Sequence, residues 1–163
     1  MGLTEVSTVL WRERELLELL AYKLHVEQLV LGGGSRFLVQ ATREVEAVIT
    51  EIRDTELARA VEVEAVGAEL GLGSQPSLSQ LAAAAPPPWD ELFGEHRAAF
   101  LALTQEISEL AAANREALLI GQRATRETLL GVTEAGSAST TTYDNTGRTG
   151  AAEESRRLVD RAL

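Results

Sequence analysis

The two histidines are the side chains in this sequence best suited to metal binding or proton transfer. They are His25 and His96, and the sequence has no cysteine, which removes thiolate ligands and disulfides. A carboxylate-bridged metal bundle needs a Glu three residues before a His on two helices, but Tyr22 and Phe93 occupy those positions. We therefore predict no metal site, and we expect both histidines to lie at the edges of packed helices or in solvent.

Other segments that could perform chemistry lack essential residues. The stretches "GGGS" at 32–35 and "GLGSQPS" at 71–77 are rich in glycine, as phosphate loops are. Neither contains the Gly-Lys-Ser/Thr of a P-loop or follows a predicted strand, so we interpret them as a turn and a linker. Trp11 and Trp89 lie near predicted helix starts and are better explained by packing than by ligand binding. No nucleophile, base and oxyanion donor come together, so the sequence predicts neither enzyme activity nor a cofactor.

The composition favours one helical domain. The chain has 163 residues, of which 45% are apolar and only 4% aromatic, and straight-chain residues of high helix propensity are abundant. A net charge of -10 disfavours binding to nucleic acid or to anionic lipid. The longest uncharged run, 70–89, holds all four prolines and therefore cannot be a membrane helix. Charged residues also interrupt the first twenty residues, so the N-terminus lacks the continuous apolar core of a secretory signal. We expect a cytoplasmic protein without membrane insertion.

Apolar residues recur at every seventh position through the first third of the chain. This period is typical of long helices that pack along a seam, a line of apolar residues, at a shallow angle. The positions three residues on include Glu13 and Glu27, so the seam is imperfect and suits an intramolecular bundle better than a two-stranded rod. The series is Leu3, Leu10, Leu17, Leu24, Leu31, Leu38, Val45 and Ile52.

The series crosses the glycines at 32–34, which leaves a choice between a hairpin and one continuous helix. Three glycines inside a helix would cost about 2 to 3 kcal/mol relative to alanine, which favours a break with Ser35 capping the next helix. We predict helices over about 3–31 and 36–70. The uninterrupted seven-residue phase favours the alternative, a helix that spans the glycines.

A linker over 71–88, with Gly71 as helix cap and one short helical turn, leads to the longest predicted helix. That helix covers about 89–132, or roughly 65 Å at 1.5 Å per residue, and exceeds both others in length. Its seam includes Asn114, which either fixes the register of packing or lies on the surface. Residues 1–136 would form the bundle.

Residues 137–163 are predicted to be a flexible connector and a short amphipathic helix. The connector contains "TTTYDNTGRTG" at 140–150, whose turn residues break regular structure. The helix would present Leu158, Val159 and Leu163 on one face, and thirteen residues are marginal for an isolated helix in water. This face either contacts a partner or packs on the protein's own bundle. The predicted fold is thus an all-α bundle of long antiparallel helices: a helical hairpin, a long third helix and a short C-terminal helix.

Several stretches resemble the FlgN family of flagellar export chaperones, in the Arg-rich, Lys-poor form expected in high-GC bacteria such as actinobacteria. Their order and spacing carry the resemblance over most of residues 8–150. They are "LWRERELLELLAYKLHVEQLVL", "ATREVEAVITEI", "PWDELFGEHRAAFLALTQEISELAAANREALL" and "YDNTGRTG".

The resemblance implies a noncatalytic cytoplasmic chaperone with two kinds of partner. It would bind hook-associated proteins of the hook-filament junction through its C-terminal part, prevent their premature association and bring them to the export gate. In the family, a Tyr followed by a Gly after the long helix is implicated in docking to the gate. Tyr143 matches that tyrosine, whereas the glycine, Gly147, stands four residues later. The rival interpretation is a noncatalytic structural coiled-coil or adaptor protein.

Overall fold

The computed structural model describes residues 2–139, and this part of the chain is almost entirely helical. It contains four α-helices and, within the described residues, no strand, which confirms the predicted all-α bundle of long helices. The predicted C-terminal helix lies outside the described residues, and the predicted division of the chain at residue 136 stays a prediction. The helices are α1 (Gly2–Gly33), α2 (Leu38–Glu69), α3 (Leu78–Ala84) and α4 (Trp89–Ser139).

The glycine run ends α1 and turns the chain back. Gly34 adopts a φ of 111°, a conformation that side chains strongly disfavour, and a single 3-10 turn, Ser35–Phe37, leads into α2. The prediction that Ser35 caps α2 is wrong, because the residue at the N-cap position is Phe37, which supplies no side-chain hydrogen bond. The cost of three glycines in a helix interior therefore outweighs the continuous seven-residue phase.

The end of α2 is closed by a glycine-dependent cap. Gly71 has a φ of 70°, its N–H donates to Ala68 O, and the N–H of Leu72 donates to Gly67 O at 2.8 Å. This pair of bonds satisfies carbonyls that the helix leaves open, as expected of a left-handed glycine at a C-terminus. The predicted short helical turn in the linker is α3, whose N-terminus is closed by a reciprocal capping box between Ser77 and Gln80.

The three long helices alternate in direction. Along α1, Glu13 pairs with Arg59 while Lys23 pairs with Glu44, so α2 runs antiparallel to α1. Between α1 and α4 the partner numbers rise together, from Trp11 against His96 to Glu27 against Asn114, so α4 runs parallel to α1.

The core follows the seven-residue seam and forms two clusters. One lies in the middle of the α1–α2 hairpin and includes Leu17, Leu24, Val45 and Ile52, with Leu110 from α4. The other lies where α3 and the start of α4 meet the hairpin. It contains Val6, Leu10, Val63, Val66, Leu81, Ala85 and Phe93.

The described chain divides into two compact units. Of the described residues, the first unit contains 2–117 and the second 118–139, so the boundary falls inside α4. α4 has 51 residues, or about 75 Å at 1.5 Å per residue, and extends seven residues beyond its predicted end.

Candidate partner-binding surface

A buried polar junction fixes α4 against both helices of the hairpin. Asn114, which is 2% exposed, donates from Nδ2 to Leu24 O at 2.9 Å and to Glu27 Oε1 at 3.0 Å. Thr42 of α2 donates from Oγ1 to the other oxygen of Glu27 at 3.1 Å. Three helices therefore meet at one carboxylate, and sliding α4 by one turn would leave that carboxylate without its amide donor. Of the two interpretations of Asn114, the structure supports the one in which it fixes register.

A second buried carboxylate joins α1 to α2. Glu13 is 4% exposed, and Arg59 Nη1 donates to its Oε1 at 2.9 Å. Burial raises the pKa of Glu13 above the usual 4.5, the nearby charge of Arg59 opposes that shift, and the charge of Glu56 adds to it. Glu13 and Glu27, the two polar residues in the α1 seam, are thus paired across helices rather than solvated.

His96 is fully buried, so the expectation that it lies at an edge or in solvent is wrong. Its ring meets Trp11 edge-on with centroids 4.7 Å apart, and no described residue bonds to either ring nitrogen. Burial, and then the charge of Arg14, lowers the pKa of His96 below the usual 6.5, with Glu95 acting in the opposite direction. The neutral ring packs as an aromatic side chain. His25, by contrast, is exposed and lies 3.2 Å from Glu106 Oε1.

From Leu118 onward, α4 presents large apolar side chains to solvent. Every residue from 119 to 137 is exposed, and this stretch with Leu118 is called the distal segment below. Its five large apolar side chains are 49–66% exposed. They are Leu119, Ile120, Leu129, Leu130 and Val132.

Three threonine hydroxyls of the distal segment are bonded within α4. Thr125, Thr128 and Thr133 donate their hydroxyls to carbonyls of their own helix, four residues earlier, at 2.8–2.9 Å. The donor of each of these hydroxyls is therefore already satisfied when a partner covers the threonines.

The seam of α4 also changes character at the unit boundary. In the first unit its seven-residue positions are Phe93, Phe100, Ile107 and Asn114, whereas the next two are Gly121 and Thr128. A Cβ added at Gly121 would meet nothing within 4 Å. Small residues on an exposed helix face let another helix approach closely and place its own large side chains there. The distal segment is therefore a candidate surface for binding an amphipathic helix.

The sequence-predicted partner residues do not lie on this surface. Tyr143, Gly147, Leu158, Val159 and Leu163 all fall outside the described residues. The sequence alone does not identify the distal segment as a binding surface, although the last predicted helix exceeds the other two in length, which is a usable signal.

Neither a metal-binding cluster nor a membrane helix is found among the described residues. Residues 2–139 contain no group of three or more acidic or imidazole side chains that could hold a metal ion. No helix in that range has the length and apolar character needed to cross a membrane.

Comparison with known proteins identifies a family. The model of the FlgN protein family matches residues 1–151. No curated protein and no solved structure matches the chain. The matched range includes the whole distal segment together with Tyr143 and Gly147, and it ends before Leu158.

Proposed function

The chain belongs to the FlgN family of flagellar export chaperones, and we propose that it binds hook-associated proteins of the hook-filament junction and delivers them to the flagellar export gate. In this role it acts without catalysis, in the cytoplasm, and keeps its clients from associating before export. The observation that carries the proposal is the distal segment of α4, an exposed helix with five large apolar side chains inside the family match.

The client-binding step uses helix-to-helix contact. Clients that associate through amphipathic helices would lay their apolar faces along the distal segment, with the buried junction at Asn114 holding α4 in place. Leu158, Val159 and Leu163 of this chain would make further contacts with the client, because their segment is amphipathic in sequence. Binding at these positions would cover the surfaces that otherwise make junction proteins associate.

Client binding is tested with two adjacent leucines of the distal segment. Leu129→Glu/Leu130→Glu keeps good helix formers at exposed positions while removing two apolar contacts. Each buried leucine contributes about 1.5 to 3 kcal/mol, so the double variant should weaken binding by roughly 100-fold or more. The matched control is Leu29→Glu, which changes an even more exposed leucine on α1 and should leave binding intact.

The assay is coexpression of the full chain with each hook-filament junction protein, followed by size exclusion and calorimetry. The proposal expects soluble stoichiometric complexes that the double variant loses and the control keeps. Failure of every junction protein to form a complex would contradict the chaperone role and favour the structural adaptor. Removal of residues 151–163 tests the C-terminal contacts in the same assay.

Docking to the export gate is tested separately at Tyr143. Tyr143→Ala should reduce export of junction proteins and motility, while client binding and thermal stability stay unchanged, since the residue serves a different partner. Thr141→Ala is the control two positions away. Loss of client binding in Tyr143→Ala would instead assign the tyrosine to the client surface.

A further inference from the structure

A cavity of about 260 Å³ opens between α2 and the segment that leads into α3. Its apolar lining includes Leu10, Val63 and Leu81, which belong to the core cluster at this end of the bundle. Its polar lining includes Glu56, Arg59 and Gln75. The cavity lies within the first unit and has no part in the client-binding surface proposed above.

The wall formed by Gln75 is held rigidly. Gln75 adopts a φ of 50°, a conformation that costs a non-glycine residue energy and persists only when its surroundings fix it. Its backbone N–H and its side-chain amide both donate to Glu64 Oε2, at 2.8 and 2.9 Å, and the amide also lies 3.3 Å from Ala60 O.

The neighbouring residue is fixed by close packing. Pro76 is buried against Gly67, where an added Cβ would come within 2.8 Å of the proline ring. The capping box at Ser77 then anchors the start of α3. The cavity is therefore preformed by several independent contacts, a property that lowers the cost of binding.

The charges around the cavity do not balance. Arg59 is the guanidinium in the lining, and it is already engaged by Glu13 at 2.9 Å. Glu56 also lines the cavity, and Glu64 accepts the hydrogen bonds that hold Gln75 in the cavity wall. Since Glu13 already engages Arg59, Glu56 is left in the lining as a carboxylate without an ion pair among the described residues, so a ligand that brings a positive charge is favoured.

The size of the cavity selects the kind of ligand. Pockets for whole small molecules usually have about 300 to 1,000 Å³, whereas a cavity of about 150 Å³ holds a single benzene ring. A volume of about 260 Å³ therefore suits one long side chain. Apolar lining residues next to the Glu56 carboxylate match a side chain with an aliphatic stem and a cationic end.

We propose that this cavity is a second peptide-binding site, which receives one arginine or lysine side chain from an extended segment of a partner protein, with Glu56 as its anionic contact. The stem of the basic side chain packs against Ala60 and Leu78, the partly exposed apolar residues of the lining. The site does not depend on the flagellar role, and a partner can occupy it while a client occupies the distal segment.

The test uses the full-length chain and a defined probe. The acetylated and amidated tripeptide Leu-Arg-Leu is titrated into isotope-labelled protein, and backbone amide shifts are followed by NMR. The matched probe is Leu-citrulline-Leu, which keeps the shape of the side chain and removes its charge. We expect saturable shifts at Gln75, Ser77 and Leu78, and a dissociation constant at least five-fold higher for the citrulline peptide.

Two pairs of variants locate the site. Glu56→Gln should weaken the arginine peptide at least five-fold, whereas Glu46→Gln, at an exposed carboxylate elsewhere on α2, should not. Ala60→Leu fills the cavity and should abolish the shifts, whereas Ala58→Leu, on an exposed face, should leave them unchanged. Absence of saturable shifts, equal binding of both peptides, or binding that Glu56→Gln leaves unchanged would each overturn the proposal.

Discussion

Replacing Asn114 by alanine should destabilise the bundle far more than its single polar side chain suggests. The substitution removes a bond to the charged Glu27 carboxylate and one to the neutral Leu24 carbonyl, both in a buried site. Bonds to charged groups contribute about 1.5 to 3 kcal/mol and neutral ones about 0.5 to 1.5 kcal/mol, which gives a loss of about 2 to 4.5 kcal/mol. Since whole domains are stable by only about 5 to 15 kcal/mol, this loss is readily measured.

The assay is urea unfolding of the full chain followed by far-ultraviolet circular dichroism at constant pH. Gln122→Ala, at an exposed position farther along α4, serves as the control and should change stability by less than about 0.5 kcal/mol. Asn114→Leu restores side-chain volume but still leaves Glu27 without its amide donor, so it should remain destabilised. The double variant Asn114→Leu/Glu27→Leu removes the buried charge as well and should recover most of the loss.

Two results would refute this reasoning. A loss below about 0.5 kcal/mol for Asn114→Ala would mean that the amide is solvated in the native protein and does not hold α4. A double variant as unstable as Asn114→Leu alone would mean that the unpaired carboxylate is not the origin of the loss. In either case the three-helix junction would not position α4.

Two further predictions concern the other end of the bundle. Because burial, and then Arg14, lowers the pKa of His96 below 6.5, the unfolded chain takes up a proton first, and the free energy of unfolding should fall as the pH drops below about 6.5. Burial raises the pKa of Glu13 above 4.5, so the contribution of Glu13 to the free energy of unfolding decreases as the pH rises above 4.5. The effect of His96 is therefore isolated by comparing the pH dependence of unfolding for His96→Leu and for the unaltered chain between pH 5 and 8. If the free energy of unfolding changed with pH by the same slope in both, the assignment to His96 would be contradicted. Gly67→Ala should destabilise the chain by about 1 to 3 kcal/mol in urea unfolding, because its Cβ would lie 2.8 Å from the ring of Pro76, and unchanged stability would show that the linker moves away freely.

The seven-residue repeat predicts well which residues of the hairpin are buried, because the buried face of each helix can be recognised from that helix alone. Leu10, Leu17, Leu24, Val45 and Ile52 are all buried as the pattern indicates. A repeat of this kind needs no knowledge of the partner helix, since any apolar neighbour satisfies it.

The polar residues of the core were harder to predict because their partners are distant in sequence. Glu13 and Glu27 look like defects in the seam until Arg59, Thr42 and Asn114 are placed beside them. His96 lies three residues after the seam residue Phe93, and it is buried in contact with Trp11, 85 positions away. The distal segment of α4 was missed for a different reason, since a pattern of apolar residues does not show whether anything covers them.

The separation between bonded residues also sets an order for folding. The α1–α2 pairs join residues 15 to 46 positions apart, whereas those between α1 and α4 span 81 to 90 positions. Longer loops close more slowly, so we expect the hairpin to form first and α4 to dock last in the folding reaction. Substitutions inside the hairpin should then slow folding, and substitutions at Asn114 should mainly accelerate unfolding. The helix that carries the proposed client-binding surface is thus also the one that we expect to separate first when the protein begins to unfold.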